Sequence, residues 1–519
     1  MNGADHLCDG LLAQGVDICF ANPGTSEMHF VAALDRRPAM RCILGLSEGV
    51  VTGAADGYGR MAERPAATLL HTGPGLANGL ANLHNARRAR TPIVNIVGDH
   101  AAYHLPFDAL LTSDIESFAK PVSHWLHRIT GPGDVTPSVE AAVQAASSLP
   151  GIATLILPAD AAWGEPSSQG AAPHKRLPCK AAPAEGLVKQ VAAAIRAAGA
   201  GRVGLLLGGA ATRGSALAVA GRLAESHGVK LLGEVFVNRA ERGHGRPQLA
   251  RIPYPVDAAL AALQDIDVLV LVAAAPPVAF FAYPNKPSRL VRPDCSTLTL
   301  AEPGQEIAAA LLALEDELGR GSGQGVSKAH AEPAPAPPSG VLTEDAIAVL
   351  LAARLPDQAI VCDEALTSAR RFFALTAEVA PHDYLMNTGG AIGIGIPLAT
   401  GAAVACPNRK VIALQADGSG LYTVQGLWTQ ARENLDVVTI ILANNAYAIL
   451  QGEMHAVGVH QFGRNAARML TLDAPRLDWV SLASGFGVEA ARATTCERFL
   501  DLLDRALRQR GPFLIEAVI

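Results

Sequence analysis

Strand-length runs that are almost wholly apolar recur along this chain. Each ends on a glycine or a polar turn, and helix-length segments separate them. "VDICFANPG", "AATLLHTGPG", "IVNIVGD" and "IATLILPAD" come first, then "VGLLLGG", "KLLGEV" and "VLVLVAA", then "AIVCDE", "KVIALQADG", "VVTIILANN" and "FLIEAV". A strand that is apolar on both faces is one buried on both faces, and strands alternating with helical segments build parallel sheets covered by helices on each side. At 519 residues the chain is too long for one core. Residues 321–340, "GSGQGVSKAHAEPAPAPPSG", read as a linker, and a weaker shift in composition lies at 165–185. The expected architecture is α/β, with three doubly wound parallel-sheet domains at 1–164, 186–320 and 341–519, joined by the 321–340 linker.

Half of the residues are apolar and only 17% are charged, as large buried sheets require. The net charge of −6 offers no basic footprint, so nucleic acid is not an expected partner. Eight cysteines without a CxxC pair read as reduced core residues of a cytoplasmic protein. The N-terminal residues lack the pattern of a signal peptide. The longest apolar run, 268–282, carries Pro276 and Pro277 and reads as a buried strand with its exit loop rather than a membrane span.

Chemistry concentrates where "KVIALQA" ends at Asp417, Gly418 and Ser419 and where "VVTIILA" ends at Asn444 and Asn445. One βαβ crossover lays two such strands parallel, often side by side, with both C-terminal ends at the sheet edge where open α/β sheets bind ligands. A carboxylate and an amide oxygen brought together there make part of an oxygen shell for Mg²⁺, usually completed by phosphate. Gly418 permits close backbone approach and Ser419 stands at a helix entry. The same residues also suit an ordinary strand–turn–helix unit with an Asp cap, and spacing alone leaves both readings open.

The stretch resembles the cofactor motif of thiamine-diphosphate enzymes, Gly-Asp-Gly followed at a fixed interval by Asn-Asn, within the acetolactate synthase-like and benzoylformate decarboxylase-like group. Here 444 − 417 = 27 matches the interval to the second asparagine, and Ala443 stands where the first usually sits. The resemblance therefore implies Asp417, Asn444 and the Ala446 carbonyl as Mg²⁺ ligands. Gly418 and Ser419 fall at the diphosphate, and Ala416 replaces the motif's first glycine.

Other segments carry the same likeness. "GLSEGVVTGAADGYGRM" resembles the segment bearing the family's catalytic glutamate and places that role on Glu48, expected in an apolar pocket beside Val50, Val51 and Ala54. In "NTGGAIGIGIP", Ile392 falls on the residue that bends the cofactor and Gly390 on a carbonyl that binds its aminopyrimidine. "DEALTS" resembles the second diphosphate loop, implying hydroxyl donors at Thr367 and Ser368. In the first domain, "ANPGTSEMHF" and "LLHTGPGLANG" place Thr25 and His71 at polar active-site positions, and histidine suits proton transfer near neutral pH. The decarboxylases' second histidine has no counterpart in "PPVAFFAYPNKP", and Leu450 replaces an acid that pyruvate decarboxylases use in aldehyde release. Ile449, Glu453, His29 and Tyr283 are candidate pocket residues.

The resemblance implies thiamine diphosphate and Mg²⁺ as cofactors and a 2-oxo acid as substrate, decarboxylated and then joined to an aldehyde or second 2-oxo acid. A non-ligating benzoylformate-type decarboxylase and a catalytically idle homologue are the competing readings. FAD is not expected, because "LLLGGAATRGSA" in the middle domain is at most a weak nucleotide loop. Relatives place the glutamate and diphosphate sites on opposite subunits, implying a homodimer at minimum and a homotetramer as the expected assembly.

Overall fold

The computed structural model describes residues 1–148, 150–166, 182, 184–319 and 337–519, so most of the expected linker lies outside the described residues. The first sheet has six strands: β1 (Ile18–Asn22), β2 (Arg41–Leu44), β3 (Ala66–Leu70), β4 (Ile93–Asp99), β5 (Trp125–Arg128) and β6 (Ile152–Pro158). Its order is β2-β1-β3-β4-β6-β5 and its pairings are parallel. Next along the chain come β7 (Val203–Leu207), β8 (Lys230–Gly233), β9 (Ala240–Arg242), β10 (Ala250–Arg251), β11 (Val268–Val272) and β12 (Ser296–Ala301). Five of these form a second parallel sheet in the order β10-β8-β7-β11-β12.

The third sheet takes β13 (Ala359–Glu364), β14 (His382–Met386), β15 (Val411–Ala416), β16 (Val437–Ala443), β17 (Glu489–Ala493) and β18 (Phe513–Val518). Its order is β17-β18-β16-β15-β13-β14-β9. Strand β9 leaves its neighbours in the chain and pairs antiparallel with β14, Arg242 opposite His382. All three sheets are α/β and parallel-dominated, as the apolar runs imply.

Burial on both faces shows in the cores. Along β4, Ile93 and Val97 enter one cluster while Val94 and Ile96 enter another. Val203, Leu205 and Leu207 of β7 likewise oppose Leu206. One cluster is shared between the first and third sheets, gathering Ile18, Phe20 and Leu70 with Ile360, Cys362 and Leu398. Helices Glu48–Ala62 and Gly395–Ala405 cross there with almost no side chain between them: a Cβ at Gly57 would collide with the Leu398 carbonyl, and one at Gly401 with the Ala54 carbonyl. Close backbone approach of this kind needs glycine.

No helix among the described residues is long and apolar enough to cross a membrane. Seven cysteines (Cys8, Cys19, Cys42, Cys295, Cys362, Cys406 and Cys496) are free.

Candidate active site

Strands β15 and β16 are adjacent and parallel, Ala416 opposite Leu442, so their C-terminal ends meet. Asp417 does not sit in a turn: β15 runs straight into the short helix Asp417–Gly420, and Ala416 is the residue before it. The Asp417 carboxylate is buried. It accepts the Gly418 amide at 2.8 Å and, across the gap to β16, the Asn445 amide at 2.7 Å. Burial pushes its pKa up, which those amides only partly oppose. A buried carboxylate held by amides alone is a natural seat for a divalent cation, which removes the desolvation cost.

The two asparagines differ in backbone role. Asn445 is left-handed at φ 53°, donates its amide to Asp417, and has its carbonyl taken by the Leu472 amide at 2.7 Å. It is the turn residue, a conformation asparagine tolerates. The side chain of Asn444 accepts the Ala446 amide at 3.0 Å with one lone pair and keeps another. Gly418 lies under Tyr447, where a Cβ would come within 2.6 Å of the ring.

The loop carrying Gly390 and Ile392 is pinned by a residue the sequence reading passed over. Glu364, at the end of β13, accepts the amides of Gly393 at 2.8 Å, Ile394 at 3.2 Å and Gly395 at 2.8 Å. Asn387 and Gln415 donate to it as well. Burial raises its pKa against those donors. The clue was an acid at the end of an apolar strand, but nothing in its type told a loop anchor from a ligand. Gly390 is left-handed at φ 78°, and a Cβ there would lie 2.7 Å from the Phe280 ring. Thr423 donates to the Gly393 carbonyl at 2.7 Å, so this loop abuts the segment that follows Asp417.

The hydroxyls divide. Ser368 is buried and donates to Glu344 at 2.7 Å. Ser419 accepts from Gln415 at 2.6 Å and donates back to the Ala416 carbonyl. Both hydroxyls are taken up by protein partners, leaving half-buried Thr367 as the more open hydroxyl of the set.

On the first sheet, Glu48 opens its helix behind the Ser47 cap, is 8% exposed, and accepts from Asn78 at 3.2 Å. A Cβ at Gly75 would touch both Glu48 Oε1 at 3.0 Å and His71 Cβ at 3.3 Å, so these two side chains are neighbours. His71 directly follows β3 and caps the next helix, and its Nδ1 lies 2.9 Å from Glu27 Oε2 and 3.2 Å from Ser26 Oγ. Glu27 is buried and also accepts from Ser26 and from the Gly24 amide at 2.8 Å. Two glycines make room for the pair: a Cβ at Gly98 would strike Glu27, and one at Gly24 would strike the His71 ring. Thr25 is exposed at the start of the same turn. His29 lies edge-on to Trp163 instead, with ring centroids 5.5 Å apart. Tyr283 donates to Glu453 at 2.9 Å.

Comparison with known proteins matches residues 1–122 to the thiamine pyrophosphate enzyme N-terminal TPP binding domain and 367–517 to the C-terminal TPP binding domain of such enzymes. Across 520 residues, all of this chain and 99% of its relative, identity is 50% to the Mycobacterium tuberculosis protein named "Putative acetolactate synthase large subunit IlvX". The chain belongs to the thiamine pyrophosphate enzyme family. A benzoylformate decarboxylase of Pseudomonas aeruginosa is 30% identical over 98% of this chain and 96% of its own. A Rhodococcus jostii thiamine diphosphate-dependent 4-hydroxybenzoylformate decarboxylase superposes with a TM-score of 0.88, covering 99% of this chain and 98% of that one, at 24% identity, which speaks to the fold. The edge where β15 and β16 end lies within the region matched to the C-terminal TPP binding domain.

Proposed function

We propose that this chain is a Mg²⁺- and thiamine-diphosphate-dependent enzyme that decarboxylates a 2-oxo acid and joins the product to a carbonyl acceptor, as acetolactate synthases do. The observation that carries the reading is Asp417, a buried carboxylate held only by amides at the junction of two adjacent strand ends. Asp417, the Asn444 side chain and the Ala446 carbonyl would hold Mg²⁺, Gly418 and Thr367 the diphosphate, and Gly390 and Ile392 the aminopyrimidine. When bound, thiamine diphosphate would supply an electron sink for the electrons of the cleaved bond to the carboxylate. Glu48 would hold the proton shared with the cofactor's ring nitrogen, and its burial would keep water from competing. His71, oriented by Glu27, handles the proton at the substrate oxygen.

Phe280 packs against Gly390, in the stretch that offers no counterpart to the second histidine the resemblance would call for. An apolar wall leaves fewer proton donors for releasing an aldehyde, which favours ligation. Simple decarboxylation is the second reading, favoured by the relay of half-buried His71 on buried Glu27. We further propose a homodimer as the minimum unit, a homotetramer as the assembly and a cytoplasmic location.

Replacing Glu48 by Gln should cut kcat by at least ~100-fold, while calorimetry still detects thiamine diphosphate binding with Mg²⁺. Activity at the unaltered level would sink the assignment. Product analysis with pyruvate and benzoylformate separates the two chemistries: a ligated hydroxyketo acid supports the first reading, free aldehyde alone the second.

A further inference from the structure

The helix Thr72–Ala89 carries asparagine at three-and-four spacing, Asn78, Asn82 and Asn85, which places all three on one face. Asn82 is 2% exposed and Asn85 is fully buried. A buried side-chain amide is costly unless its donor and acceptor are both met. Here they are met in succession along the helix. Asn78 donates to Glu48. Asn82 donates to the Gly49 carbonyl at 2.7 Å and accepts from Asn85 at 3.0 Å. Asn85 then takes Ala391 by both backbone atoms, donating to its carbonyl at 2.7 Å and accepting its amide at 3.1 Å.

Two bonds to one residue set its orientation as well as its distance, and a satisfied buried network of this kind is rigid. The C-terminal part of the helix closes on the same loop. Thr388 donates to the Asn85 carbonyl at 2.9 Å, and His84 Nε2 lies 3.1 Å from the Gly389 carbonyl oxygen. A Cβ at Gly389 would lie 2.4 Å from Asn85 Oδ1, so glycine is what lets the loop come this close. From the loop's own stem, Asn387 donates to the Ala391 carbonyl and accepts the Gly390 amide, both at 2.9 Å. Glu364 grips the loop from Gly393 onward. Ala391, between these two holds, is fixed by a side chain that belongs to a helix of the first sheet.

We propose, on the strength of the thiamine diphosphate reading of this loop, that Asn85 is a positioning residue for the cofactor's aminopyrimidine. By clasping Ala391 it sets the Gly390 carbonyl and the Ile392 side chain on either side of it before a ligand arrives. A loop already in place has less freedom to lose on binding, so the clasp strengthens affinity. The Asp417 and Asn444 end, which would take the diphosphate and Mg²⁺, rests on β15 and β16 and does not depend on Asn85.

Calorimetry of the full chain with two probes, thiamine diphosphate and inorganic diphosphate, each with Mg²⁺, separates the two ends. Asn85→Asp keeps the shape and the acceptor but loses the donor to the Ala391 carbonyl. It should weaken thiamine diphosphate by roughly 10- to 100-fold, as an unsatisfied buried group does, with inorganic diphosphate unchanged. Thr388→Val, at a half-buried position, removes only the outer contact to Asn85 and should weaken thiamine diphosphate by about 3-fold. It carries the test if the melting profile shows that the buried variant does not fold. Equal loss of both probes in a folded Asn85→Asp chain would overturn the proposal. So would thiamine diphosphate affinity unchanged in that chain or, where it does not fold, in Thr388→Val. An unaltered chain that binds inorganic diphosphate but not thiamine diphosphate would sink the reading of the loop itself, and Asn85's role with it.

Discussion

Glu27 and His71 form a pair whose effect is to fix one proton. With Nδ1 of His71 held 2.9 Å from a buried carboxylate, the favoured tautomer puts the hydrogen on that nitrogen, which in the proposed reaction leaves Nε2 to exchange with substrate. Glu27→Gln keeps the shape but presents either an oxygen or an amide to Nδ1, so the tautomer is no longer enforced. We expect kcat to fall by roughly 10- to 100-fold with KM little changed and the melting temperature preserved. Stopped-assay kinetics over a pH series would check it; an unchanged kcat would remove Glu27 from the mechanism. At this scale the sequence was uneven as a guide. The interval from Asp417 favours Asn444 over its neighbour, and the left-handed backbone of Asn445 gives the physical reason. Glu27 and Glu364 stayed hidden, because a carboxylate's worth depends on burial, and burial by distant glycines such as Gly98 has no local signature.

Among elements, helix Glu48–Ala62 is held at the end opposite Glu48. Arg60 is buried and pairs with Asp56 at 2.5 Å, while Thr91 donates to the same Asp56. The Arg60 guanidinium also donates to the carbonyls of Met386 at 2.7 Å and Asn238 at 3.1 Å, and to Thr388 at 3.2 Å. It thus ties Glu48's helix to the strand that leads into the Gly390 loop. Arg60→Met strands Asp56 as a buried anion and should cost about 3–5 kcal/mol, read as a fall in denaturation midpoint; Asp56→Leu in the same chain should recover part of the loss.

His382, at the start of β14, tests another element. Burial depresses its pKa from 6.5 to about 4, and its Nε2 has no partner. The unfolded chain binds this proton first on acidification, so stability is full above pH 6.5 and drains as pH falls toward 4. The total is roughly 3 kcal/mol from the size of the shift. His382→Asn should flatten the melting temperature across that window, and equal slopes would show the strand's acid sensitivity lies elsewhere. The apolar strands were legible for the reason they exist, burial on both faces. Strand β9 was not: three residues carrying Glu241 and Arg242 look like a turn until the third sheet supplies its partner.

At the scale of the whole molecule, the shared core explains why the first and third sheets act together, and what they leave uncovered points to a second copy. The segment between β4 and the helix Ile115–Ala119 exposes Tyr103 at 68%, Phe107 at 75% and Leu110 fully. Three large apolar side chains in one short surface stretch are more than a monomer normally leaves wet. The segment adjoins the site itself, since Ser113 lies where a Cβ on Gly73, two residues beyond His71, would have to go. If a second copy covers this stretch, one change should alter assembly and catalysis together. Leu110→Asp with Phe107→Asp places two charges in a dewetted contact and should shift the light-scattering mass from dimer or tetramer toward monomer, with activity falling in parallel. The melting profile of the separated chain should still be cooperative, because neither residue belongs to a core cluster. Retention of the full oligomer by that double variant would place the interface on another face and leave the exposed segment to a different partner.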